Sequence, residues 1–121
     1  MSNPKKRLRS LADKAWYGKL LKSKCEACGG KAVQVHHFFY KSNYGHLRYD
    51  LENGISLCQG CHFVLHHKDP KIIEDKIREK RGEKWYETLK AKALQRPKAS
   101  FQTVSYYQQV IKQLECGKIN N

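Results

Sequence analysis

The sequence predicts a small α+β domain organised around four cysteines and flanked by helices. Three observations carry that prediction. Two Cys-x-x-Cys pairs stand at 25/28 and 58/61, two short runs of strand character lie beside them, and apolar residues recur at helical spacing on both sides. At 121 residues the chain is long enough for one domain, or one small domain with tails.

Taken in order, residues 1–9 (MSNPKKRLR) read as a basic N-terminal arm. Ser10 with Asp13 then resembles a capping box opening a flanking helix over 10–24, with Leu11, Ala12, Ala15, Trp16 and Leu20 at helical spacing and Trp16 in the core. Gly29-Gly30 is a turn. Residues 32–36 form a strand with Val33 and Val35 on one face. A loop over 41–53 leads to a second strand, 54–57, and residues 61–66 are helical. Asp69-Pro70 starts a helix with the stripe Ile72, Ile73 and Ile77, which Gly82 ends. Trp85, Tyr86, Leu89 and Ala93 mark another helix. A last one, near 104–116, places Val104, Tyr107, Val110, Ile111 and Leu114 on one face, with Gly117 as its cap. Residues 69–121 are thus expected to be C-terminal helices packing on a central module, 25–68.

Twenty-four Lys and Arg stand against eleven Asp and Glu, a formal charge of +13. That balance argues against an acidic small-molecule pocket as the whole answer and points to a polyanion, most simply nucleic acid. The charge is uneven: net +7 over 1–24, zero over 25–67 and +6 over 68–121. A neutral centre rich in cysteine and histidine is thereby flanked by basic helices. No apolar run is long enough to span a bilayer and no secretory signal opens the chain, so the expected location is cytoplasmic, with no membrane partner.

Two residues between paired thiols let a tight turn aim both at one ion, and two such pairs close a tetrahedral Zn²⁺ site. Cys25, Cys28, Cys58 and Cys61 are therefore the expected ligands of a structural zinc with no open coordination position. Cys116 is left over as a spare thiol. The six histidines cluster around the same segment: His36, His37, His46, His62, His66 and His67. His62 and His66, four apart, share one helical face and form a chelating pair. With zinc already saturated by sulfur, the imidazoles imply a second cation with open positions, where a phosphate oxygen or water can bind.

The runs Val35-His36-His37, Tyr49-Asp50-Leu51-Glu52-Asn53-Gly54-Ile55 and Leu57-Cys58-Gln59-Gly60-Cys61-His62, with His66, resemble the HNH nucleases of the ββα-metal class. The paired histidines and the His-x-x-x-His spacing are similar to those of colicin-type DNases. The cysteine knuckles are similar to those of zinc-stabilised HNH proteins of bacteria and phages. The resemblance implies a ββα-metal core over about a third of the chain. It also implies a DNA endonuclease that leaves a 5′ phosphate and a 3′ hydroxyl.

Residue by residue, it makes His37 the general base. His36, His62 and His66 hold the catalytic cation, with His66 preferred to His67 as third ligand. Asn53 ties the loop backbone and so fixes the ring of His37. The cation would bind a non-bridging phosphate oxygen and stabilise the leaving 3′ oxygen. Many HNH proteins have Asp where this chain has His36, and three imidazoles suit Mn²⁺, Ni²⁺, Co²⁺ or Zn²⁺ better than Mg²⁺. Arg48 has two open roles, bracing a phosphate or pairing with Asp50. Lys41 and His46 are further candidates for contact with the DNA backbone. A monomer or weak dimer is expected, with DNA as partner and other phage or host DNA-processing proteins as candidates. The competing reading is a zinc-stabilised nucleic-acid-binding protein without catalysis, which would need the cysteines but not His37, Asn53, His62 and His66.

Overall fold

The structure, a computed structural model, describes residues 3–119. The chain divides into two compact units, residues 20–96 and residues 1–19 with 97–121. Residues 97–121 belong to the smaller unit together with the N-terminal segment.

In the larger unit, strand β1 (Gln34–His37) pairs antiparallel with β2 (Gly54–Leu57), His36 opposite Ile55 and His37 opposite Gly54. β1 starts later than expected, and of the two preceding residues only Val33 still bonds to β2. The Ala32 amide donates to the Ser23 carbonyl and the Val33 amide to the Leu57 carbonyl, and Val33 is exposed. The connection between the strands contains two 3₁₀ turns, Gly45–Leu47 and Leu51–Asn53. Helix α2 (Gln59–His67) follows β2 at once, capped by the Cys58 sulfur, which accepts from the Cys61 amide at 3.3 Å.

Helix α3 (Pro70–Arg81) begins as the sequence requires, with Asp69 accepting from the Lys71 amide and Pro70 in the first turn. Gly82, at φ 95°, ends it and turns the chain directly into α4 (Glu83–Leu94), a conformation that a side chain would strain. β2 is buried along its whole length. Ile55 and Leu57 join Phe38, Leu47, Leu65, Ile73, Ile77, Leu89 and Ala93 in the core. Each fully buried Leu or Ile contributes roughly 1.5–3 kcal/mol. Ile72 does not share the stripe assigned to it. It lies one residue, about 100°, around the helix from Ile73 and is exposed, while Ile73 and Ile77 carry the contact.

The smaller unit holds α1 (Pro4–Leu20, its last residue crossing the unit boundary) and α5 (Val104–Ile119), with the 3₁₀ turn Ala99–Phe101. Two expectations fail here for one reason. The Asn3 side chain accepts from the Lys5 amide at 2.9 Å and Pro4 opens the helix, so residues 4–9 are helical and Ser10 lies inside α1. The arm and the Ser10–Asp13 cap are thus replaced by an Asn-Pro start; Met1 and Ser2 lie outside the described residues. Trp16 and Tyr107 are buried, and Arg9 Nε donates to the Tyr107 hydroxyl at 3.2 Å. Val104, assigned to the buried face, is exposed. α5 runs through Gly117 without being capped there, and the Cys116 side chain lies outside the described residues.

Candidate metal centres and active site

The four paired cysteines converge. One sulfur from each of Cys25, Cys28, Cys58 and Cys61 lies within 4.8 Å of the others, and the Cys28 and Cys58 sulfurs are 3.5 Å apart. Four sulfurs bound to one Zn²⁺ at roughly 2.3 Å would be about 3.8 Å from each other, so the set fits that ion. All four are free thiols. Local backbone helps: the Ala27, Gly30 and Cys61 amides donate to the Cys25, Cys28 and Cys58 sulfurs. Gly29 supplies the turn with φ 84°. Burial pushes the Cys25 thiol up. Backbone N–H groups of Cys58, Cys28 and Ala27, with the Cys28 side chain, more than offset it and bring it down to about 6. Cys61 is pushed up, first by burial and then by the other three thiols. A divalent ion at the centre would supply the charge that lets a thiol such as that of Cys61 ionise.

The second cluster follows from strand geometry. Neighbouring residues of a strand face opposite sides, so His36 and His37 part company. His36 turns to α2, where His62 and His66 sit one turn apart with ring centres 4.2 Å from each other. The His36 ring is 6.1 Å from His62 and 5.2 Å from His66, and one nitrogen from each of the three rings lies within 4.8 Å of the others. His36 Nε2 is buried without a hydrogen-bond partner, the state a metal ligand relieves. Burial, then the His66, His62 and His37 rings, push His36 down to about 4, so it is neutral at pH 7, the form that ligates. His62 is lowered for the same reasons, burial first and then His66 and His67.

His37 turns to the loop and places Nε2 3.0 Å from the Arg48 carbonyl. Asn53, with no exposed surface, spends its whole amide on that loop. Its oxygen accepts from the Phe39 amide at 2.7 Å, and its nitrogen donates to the Phe39 and Leu47 carbonyls at 3.0 and 3.1 Å. The Asn53 carbonyl also receives the Phe38 amide.

Residues 25–68 match the family model described as HNH endonuclease. This segment is an HNH domain. The match spans both strands, α2 and both ligand clusters, and it supports a nuclease-type function. No curated protein and no solved structure matches the chain.

The remaining predicted residues lie within the HNH domain. His67 is exposed and its ring lies against Phe63, away from the three-imidazole set. Lys41 is exposed in the loop. Arg48 lends its carbonyl to His37, and its guanidinium is 5.8 Å from the centre of the Tyr49 ring. Asp50 pairs with Lys92 at 3.1 Å. His46 is bound to protein and not poised for a ligand: Nε2 meets the Lys92 and Ala93 carbonyls at the end of α4. There it acts as a helix C-terminal cap.

No local pattern signals how the segment from α3 to Arg96 holds this loop and the first cysteine turn. Arg81 pairs with Glu26 at 2.7 Å, Trp85 donates to the Glu52 carbonyl, and Arg96 donates to the Asn43 carbonyl. Glu26 and Arg81 are 55 residues apart, and neither periodicity nor motif links them.

Proposed function

We propose that the chain is a divalent-metal-dependent DNA endonuclease in which His37 is the general base. The observation that carries this reading is the division of labour between adjacent residues of β1: His36 joins the three-imidazole set, and His37 is anchored to the Arg48 carbonyl. Facing a carbonyl, Nε2 carries the ring proton, and Nδ1 is the basic nitrogen.

His37 Nδ1 takes a proton from the attacking water as the new bond to phosphorus forms and the bond to the 3′ oxygen breaks. The 3′ oxygen takes its own proton from solvent, and the products carry 5′ phosphate and 3′ hydroxyl. A divalent cation held by His36, His62 and His66 would supply Lewis-acid charge at the scissile phosphate. Asn53 holds the Phe39 and Leu47 peptides and so the loop against which His37 is set. Arg48 and Lys41 are the candidate phosphate contacts. Cys25, Cys28, Cys58 and Cys61 hold structural zinc, and four free thiols suit a reducing, cytoplasmic compartment. No described helix is long and apolar enough to cross a membrane.

The test uses supercoiled plasmid with Mg²⁺, Mn²⁺, Ni²⁺ or Co²⁺, with and without EDTA, beside His37→Ala. Cleavage that EDTA abolishes, that Mn²⁺ or Ni²⁺ supports better than Mg²⁺, and that His37→Ala reduces by about 10²–10⁴-fold is the expected result. DNA retained by both proteins and cut by neither would point to a binding protein instead.

A further inference from the structure

The nuclease reading uses residues of the HNH domain alone, yet a heavily hydrogen-bonded side chain of the larger unit lies outside it. Arg81, the last residue of α3, makes five hydrogen bonds from three nitrogens. Nη1 donates to the Glu52 carbonyl at 3.0 Å and Nη2 to the Gly54 carbonyl at 2.7 Å. Nε and Nη2 meet the Glu26 carboxylate at 2.7–3.0 Å. Both side chains are largely shielded, 17% and 16% exposed, and Oε2 of Glu26 also accepts the Ser56 amide of β2.

The two carbonyls that Arg81 grips flank a single residue, Asn53. Holding the Glu52–Asn53 and Gly54–Ile55 peptides restrains the backbone on either side of Asn53, from which its side-chain amide leaves. That amide in turn sets Phe39 and Leu47, and the next carbonyl along, that of Arg48, receives His37. The opposite end of the bridge is Glu26, which lies between Cys25 and Cys28 of the first cysteine pair. One planar, two-pronged side chain therefore joins the cysteine cluster to the loop that orients the base. Lys could not reproduce it, having one nitrogen where the guanidinium has three.

We propose that Arg81, held by Glu26, is a positioning residue for this active site: it aligns Asn53 and through it His37, so that α3 completes the HNH domain. This rests on the nuclease reading for its kinetic consequence but not for its structural one.

Two readouts test it in the full chain, with zinc content and far-ultraviolet circular dichroism matched to wild type. In Arg81→Ala, amide exchange at Phe39, whose N–H is held by Asn53, quickens by at least about tenfold while Leu65 in α2 keeps its rate. In the same protein kcat falls about 10–100-fold at unchanged KM. Arg81→Lys recovers part of both effects. Glu26→Gln keeps an acceptor for Ser56 and shows the same pattern in weaker form, and it serves if Arg81→Ala fails to fold. Unchanged exchange at Phe39 overturns the proposal. So does quickening spread evenly over Phe39 and Leu65, which marks general loosening, and so does a normal kcat beside faster Phe39 exchange. If wild type does not cut DNA at all, the nuclease reading fails while the exchange pattern still decides the role of Arg81.

Discussion

The two ligand clusters of the HNH domain are built from opposite materials. The cysteine cluster has four soft donors, three of which also receive backbone N–H groups, and it gathers the first turn, the end of β2 and the start of α2. Four protein ligands saturate a tetrahedral ion and leave nothing for a substrate. The histidine cluster has three imidazole donors, the buried His36 Nε2 lacks a partner, and His66 is exposed at its edge. Three ligands leave positions open. A cluster that completes its ion supports a fold, whereas one that leaves its ion incomplete can meet a phosphate. A few residues of β2 and α2 separate the two roles.

The largest effect that could break this contrast comes from Cys58→Ser. Serine still caps α2, so the change removes a metal ligand while sparing the cap. Zinc content should fall below one ion per chain and the cooperative melt should be lost, since structural zinc contributes on the order of 10 kcal/mol apparent. A folded, zinc-loaded Cys58→Ser protein would contradict the scaffold role.

Next comes Asn53→Ala, which strands the Phe39 amide and the Phe39 and Leu47 carbonyls in a site with no exposed surface. A loss of about 2–4 kcal/mol in denaturant unfolding is expected, together with a fall in cleavage rate. A neutral result would mean that the loop holds itself.

His66→Ala against His67→Ala sharpens the histidine half. Titration of zinc-loaded protein with Ni²⁺ should show affinity reduced at least about tenfold by the first change and within about twofold by the second. The opposite order would move the ligand one position along α2.

The smallest effect belongs to Glu74→Gln. Burial, then Asp75 and Asp69, raise the Glu74 carboxyl above its usual 4.5, so the folded chain holds that proton more tightly than the unfolded one. The associated stability is full below 4.5 and lost as pH rises through the folded pKa. Glutamine should therefore raise the melting temperature slightly at pH 7 and not at pH 4.

Much of this was legible in the sequence because it is local. The Cys-x-x-Cys spacing, His-x-x-x-His on one helix face, Asp69-Pro70 and Gly82 each act within a few residues, and the structure places them as their chemistry requires. The start of α1 was equally local, written in Asn3-Pro4, but the stronger-looking Ser10–Asp13 pattern hid it. What could not be read is long-range. His46 resembles a site histidine until α4 brings two carbonyls to it, and Arg81 resembles an ordinary basic residue at a helix end until Glu26 and the peptides around Asn53 converge on it. Such partners meet only when separate elements pack, and no pattern of neighbours encodes them.

The nuclease proposal requires one chain to keep two chemically distinct ions apart. Elemental analysis combined with X-ray absorption of metal-loaded protein tests it most directly. Two ions per chain are expected, zinc in an all-sulfur shell near 2.3 Å and a second metal in a shell of nitrogen and oxygen that His36→Ala depletes without disturbing the first. A single ion with a mixed sulfur and imidazole shell would contradict it.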